Sequence, residues 1–68
     1  MTAKIHPTAE VSAKASLGDS VTIWQYVHIR ENTTIGANSI IGRGAYIGAG
    51  VEIGENCKIQ NDALVYRY

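Results

Sequence analysis

The chain has 68 residues, and its six Lys and Arg balance its six Asp and Glu. A formal net charge of zero offers no electrostatic footprint for nucleic acid or an anionic membrane surface. No apolar run approaches the roughly twenty residues of a membrane span, the opening MTAKIHPTAE lacks the apolar stretch of an export signal, and a single Cys cannot form an internal disulfide, so the expected setting is cytoplasmic.

From the N-terminus, Ile5, Val11 and Leu17 lie six residues apart. The same step reaches Ile23, Ile29 and Ile35, then Ile41, Ile47 and Ile53, then Ile59 and Val65. All eleven positions carry Ile, Val or Leu, although the chain holds only sixteen such residues. A helix has a period of 3.6 and a strand a period of two, so neither explains the spacing. The pattern is an internal repeat. It runs without linker or insertion and predicts one domain over residues 1–68.

Within each hexad the aliphatic residue is position one. Position five is small or β-branched, as at Ala15, Val21, Val27, Thr33, Ser39, Ala45, Val51 and Cys57. Position four is Thr8, Lys14, Ser20, Tyr26, Asn32, Asn38, Gly44, Gly50, Asn56 and Asp62. Asn, Asp and Gly tolerate the left-handed backbone of a sharp corner. Position two turns to glycine at Gly18, Gly36, Gly42, Gly48 and Gly54. Each hexad therefore reads as a very short strand and a corner, with positions one and five pointing inward.

One hexad is too short to bury its own aliphatic side chain, so each must stack on its neighbours. Three hexads close a triangular coil of eighteen residues, and successive coils lie about 4.8 Å apart. The expected fold is all-β: a parallel β-helix of about three and a half coils. Residues eighteen apart then share a column. Ile5, Ile23, Ile41 and Ile59 are expected to stack inside, as are Val11 with Ile29, Ile47 and Val65, and Leu17 with Ile35 and Ile53. A domain this small has a thin core, and open coils present strand edges. Both points favour an oligomer or a longer parent chain.

The stretch IGANSIIGRGAYIGAGVEIGENCKI resembles the hexapeptide-transferase repeat. That resemblance implies a left-handed β-helix and a trimeric acyltransferase; chain physics alone favours right-handed crossovers. IHPTAEVSAKASLGDSVTIWQYVHIRENTTIGANSIIGRGAYIG followed by CKIQNDALVY is similar to the N-terminal half of bacterial UDP- or dTDP-sugar N-acetyltransferases. It implies transfer of acetyl from acetyl-CoA to an amino group on a nucleotide-linked sugar. It also places Gln60 and Asn61 near the sugar-nucleotide cleft. Such enzymes run well over twice this length and lay acetyl-CoA on later coils. This chain is therefore expected to carry an incomplete acetyl-CoA site.

Candidate chemistry lies on the outward positions. His28 shares a column with Glu10 and Tyr46, which suits a general base as well as a surface contact. Arg30 has the small neighbours Ser12 and Gly48 in its column. It has room to reach a ligand phosphate, or it pairs with Glu31. His6 is expected to start the first coil beside Pro7, and Cys57 to fill an interior column. His6 and His28 do not share a column and there is no third His, so no zinc site of three imidazoles is expected. GRGAYIGAG obeys the hexad and no helix follows it, which separates it from a dinucleotide fingerprint. Trp24, Tyr26, Ile40, Tyr46, Leu64, Tyr66 and Tyr68 face outward or sit at corners, where they mark a partner or ligand surface. A homotrimer with Trp24, Tyr46 and Ile40 between subunits is one expectation. Two functions stay open: an N-acetyltransferase or part of one, and a non-catalytic β-helical oligomerisation module.

Overall fold

A computed structural model describes residues 3–66; Tyr68 lies outside them. Eleven two-residue strands follow in order: β1 (Lys4–Ile5), β2 (Glu10–Val11), β3 (Ser16–Leu17), β4 (Thr22–Ile23), β5 (His28–Ile29), β6 (Thr34–Ile35), β7 (Ile40–Ile41), β8 (Tyr46–Ile47), β9 (Glu52–Ile53), β10 (Lys58–Ile59) and β11 (Leu64–Val65). They form three parallel sheets, ordered β1-β4-β7-β10, β2-β5-β8-β11 and β3-β6-β9. Every pairing joins residues eighteen apart: Ile5 faces Ile23, Ile29 faces Ile47, Ile35 faces Ile53. Three strands therefore make one coil, and the columns expected from the spacing are the columns formed.

The second residue of each strand points inward. Ile23, Ile29, Ile35, Ile41, Ile47 and Ile53 are buried, with Val21, Val27, Ala45 and Val51 between them. The end rungs are different. Val11, Leu17, Ile59 and Val65 are half-buried, and Ile5 is 44% exposed. The expectation that all four of Ile5, Ile23, Ile41 and Ile59 sit away from solvent is corrected at Ile5. Its register is right, but among the described residues no rung covers its outer side.

Thr33 and Ser39 bring hydroxyls into this core. Thr33 Oγ1 donates to the Gly48 carbonyl and Ser39 Oγ to the Gly54 carbonyl, each at 2.8 Å. Ser39 Oγ also accepts the Cys57 amide at 3.1 Å. No buried side-chain polar atom among the described residues lacks a partner, as burial without water requires. Cys57 is half-buried against the same core, as the interior column implied.

The corners are of two kinds. From Ser20 onward, position four adopts positive φ at Ser20, Tyr26, Asn32, Asn38, Gly44, Gly50, Asn56 and Asp62, all between 58° and 72°. This is the i+2 conformation of a type II turn. Thr8 and Lys14, which carry no left-handed preference, do not adopt it. Their turns are closed by short local bonds. The Ala9 amide donates to the His6 carbonyl and the Ala15 amide to the Ser12 carbonyl. Pro7 holds the second turn position, where its fixed φ suits the bend. His6 Nδ1 accepts from the Thr8 amide at 3.2 Å, and Ser12 Oγ from the Lys14 amide at 3.1 Å. Thr8 Oγ1 lies 2.9 Å from that imidazole nitrogen and accepts the Tyr26 amide of the next coil at 3.0 Å. His6 is a structural residue of the first turn.

Gly18, Gly36 and Gly54 stack on one corner. A Cβ at Gly36 would lie 2.6 Å from the Glu55 amide nitrogen, and one at Gly18 2.6 Å from that of Ala37. Coil-to-coil approach excludes a side chain at Gly18 and Gly36, whereas a Cβ at Gly54 would meet only Cys57 Sγ, at 3.8 Å.

Candidate functional site

The first residue of each strand points outward, so the second sheet carries Glu10, His28, Tyr46 and Leu64 in one column. Neighbouring rungs of a sheet lie about 4.8 Å apart, which brings these side chains into contact. His28 Nε2 and Glu10 Oε1 are 2.5 Å apart. A carboxylate only accepts, so the imidazole nitrogen is the donor, and in the neutral ring the lone pair falls on Nδ1. Both side chains remain open to solvent, at 51% and 74% exposure. Tyr46 meets the His28 ring edge-on, with centroids 6.1 Å apart, and Tyr66 meets Tyr46 at 5.7 Å.

Arg30 follows β5 and crosses to the next column. Its Nη1 donates to the Tyr46 hydroxyl at 2.8 Å, and its Nε donates to Glu31 Oε1 at 3.2 Å. Bonding to Tyr46, and then to Glu31, raises the affinity of the guanidinium for its proton. Glu31 is held below its ordinary value, first by its own backbone amide and then by Arg30. The sequence placed Arg30 beside Ser12 and Gly48 or on Glu31; the Glu31 pair forms, and the Tyr46 contact was missed. Tyr46 is a diagonal cross-strand neighbour, which a long side chain reaches readily. Glu10, Ser12, His28, Arg30 and Tyr46 line an open groove of about 610 Å³.

Gln60 and Asn61 lie elsewhere. They follow β10, at the corner between the first and second sheets, and share a groove of about 380 Å³ with Trp24, Ile40, Arg43 and Lys58. The two grooves have no lining residue in common. The four residues singled out from sequence are thus brought together in pairs: His28 with Arg30, and Gln60 with Asn61. Asn61 also has a structural task. Its Oδ1 accepts the Arg43 amide at 3.1 Å, directly over Gly42, where a Cβ would sit 2.5 Å from that oxygen. Only the amide NH₂ of Asn61 is left to face a ligand. Among the described residues no three His, Cys, Asp or Glu side chains are grouped to hold a metal ion, and no helix is long and apolar enough to cross a membrane.

Residues 14–49 and again 32–67 match the family model of the bacterial transferase hexapeptide (six repeats). Comparison with curated proteins and with solved structures gives no match. The chain belongs to the bacterial transferase hexapeptide family, and its fold is the left-handed parallel β-helix of such repeats. Membership sets the general kind of protein as acyltransferase-like.

Proposed function

We propose that the chain is the sugar-nucleotide-binding part of an N-acetyltransferase, which transfers acetyl from acetyl-CoA to an amino group on a UDP- or dTDP-linked sugar in the cytoplasm. The observation that carries this reading is the 2.5 Å bond from His28 Nε2 to Glu10. It orients an imidazole and leaves its other nitrogen as a base, on a face with an adjacent guanidinium. In the reaction, the sugar amine attacks the thioester carbonyl carbon. The C–N bond forms, the tetrahedral adduct collapses, and the C–S bond breaks. His28 Nδ1 takes the proton lost by the amine and returns it to the departing thiolate. Arg30, Gln60 and Asn61 bind the nucleotide-sugar.

Acetyl-CoA is the co-substrate, and its site is incomplete on the described coils. The two taller sheets have four strands, so their rungs span only about 14 Å at one sheet spacing per step. An extended acetyl-CoA is longer than this. The outward Ile40, Leu64 and Tyr66, from 38% to 68% exposed, supply apolar contact for a homotrimer. Such assembly would place the grooves beside a neighbouring subunit.

Amide NMR of the chain, titrated with a UDP- or dTDP-linked amino sugar, tests the site. Saturable shifts are expected at His28, Arg30, Gln60 and Asn61. Shifts confined to other faces of the prism, or none at millimolar ligand, would reject the proposed binding face.

A further inference from the structure

The groove at the corner between the first and second sheets has a chemistry that acyl transfer at His28 does not use. Its lining includes Arg43 and Lys58 and no acidic side chain. Neither cation has an ion pair or a side-chain hydrogen bond among the described residues. Arg30, by contrast, is already held by Tyr46 and Glu31. Two cations that have no ion-pair partner among the described residues and line one concave surface create a field for an anion. Arg offers forked donors to phosphate oxygens and Lys a point charge.

The same groove carries Trp24, which is 50% exposed. Trp24, Gly42 and Gln60 follow the paired residues Ile23, Ile41 and Ile59, so they occupy successive rungs of one column. Gly42 itself is covered: a Cβ there would meet Asn61 Oδ1 at 2.5 Å and the Asn61 amide nitrogen at 2.8 Å, so no ring enters between the rungs. The open surface is the exposed half of the Trp24 indole, on which a heteroaromatic ring can stack. The Gln60 amide and the NH₂ of Asn61 line the same groove.

We infer that this groove binds the nucleoside diphosphate moiety of the substrate, with the base against Trp24 and the two phosphates on Arg43 and Lys58. The inference rests on the reading of the chain as acting on a sugar nucleotide. It divides the labour between the two grooves: the nucleotide is held at the corner, and the amine is deprotonated at His28. Trp24, Arg43 and Lys58 then become binding residues of the site.

Trp24 is the only tryptophan in the chain, so its fluorescence reports on the groove without any substitution. Uridine diphosphate and thymidine diphosphate are expected to change Trp24 emission saturably. Inorganic pyrophosphate is expected to compete, and the affinity to fall as salt rises. Trp24→Ala, followed by calorimetry, is expected to weaken uridine diphosphate at least about 5-fold, the low end of a lost ring-stacking contact. Arg43→Ala combined with Lys58→Ala should weaken pyrophosphate by about 10-fold or more. All three positions are on the surface, and far-UV circular dichroism checks that the coils persist. Emission that ignores all three ligands overturns the inference, including the case where Trp24 is already blue-shifted in a sedimenting trimer. Equal affinity in wild type and variants overturns it too. If an amino-sugar nucleotide binds while these variants leave it unchanged, the N-acetyltransferase reading stands and the nucleotide assignment fails. If the diphosphates bind through Trp24 but no amino sugar improves on them, the assignment stands and that reading fails.

Discussion

Ser39 shows how one hydroxyl is used inside a stack of coils. It donates to the Gly54 carbonyl of the next coil and accepts the Cys57 amide, so a single oxygen satisfies two backbone groups at the core. Ser39→Ala leaves both without that partner. The expected cost is about 1–3 kcal/mol. For a domain of this size that lowers the melting temperature by roughly 4–8 °C per kcal/mol. A calorimetric melt checks it, and an unchanged midpoint would show that the backbone groups find other partners. At this scale the sequence was partly readable. The spacing of eighteen puts Glu10 beside His28, and the structure bonds them. The same spacing puts Arg43 beside Asn61. It does not reveal that the Asn61 oxygen is consumed by the Arg43 amide, because that bond joins side chain to backbone. An outward Asn looks free in a column diagram until the turn below it is built.

At the scale of the hexad, the corners carry the strain. Tyr26 holds φ of +60° with no glycine or Asn to ease it, and its side chain is 71% exposed. A bulky residue in the left-handed region costs of order 1 kcal/mol or more, and little packing within the chain offsets it. Tyr26→Asn is therefore expected to raise stability by about 1 kcal/mol, read as a higher urea midpoint at constant slope. A lower midpoint would mean that Tyr26 makes a contact that this chain alone does not show. Gly36→Ala works in the opposite direction. Its Cβ would meet the backbone of Gly54 and Glu55 at 2.6 Å, and rigid backbone has no rotamer to yield. The coils must separate at that edge. Loss of more than about 2 kcal/mol is expected, again from urea unfolding. Tolerance of the methyl would contradict the coil spacing. Apart from Tyr26, the corners from Ser20 onward were visible as a recurring Asn, Asp, Ser or Gly. The first two were not, because the local bonds of His6 and Ser12 shape them rather than a left-handed residue.

Across the whole molecule, the six-residue period carries the architecture. Eleven inward aliphatics fall in the three expected columns, and the buried core concentrates in the second and third coils, from Val21 to Ile53. Exposure of Ile5 could not be read from its column, since burial depends on the rung above as well as the one below. The two grooves were also hidden. A linear repeat shows which side chains face outward, but not which corner gathers them. That is why Gln60 and Asn61 separate from His28 and Arg30. The assembled picture is a prism whose second sheet offers an oriented imidazole and whose adjoining corner offers two cations and an indole. The central proposal is that these coils recognise a sugar nucleotide and contact only part of acetyl-CoA. Titration calorimetry of the chain with a UDP- or dTDP-linked amino sugar and, separately, with acetyl-CoA tests this most directly. Saturable binding of the nucleotide-sugar with only weak, unsaturated acetyl-CoA binding is the expected result. Tight acetyl-CoA binding without measurable affinity for any nucleotide-sugar would contradict it.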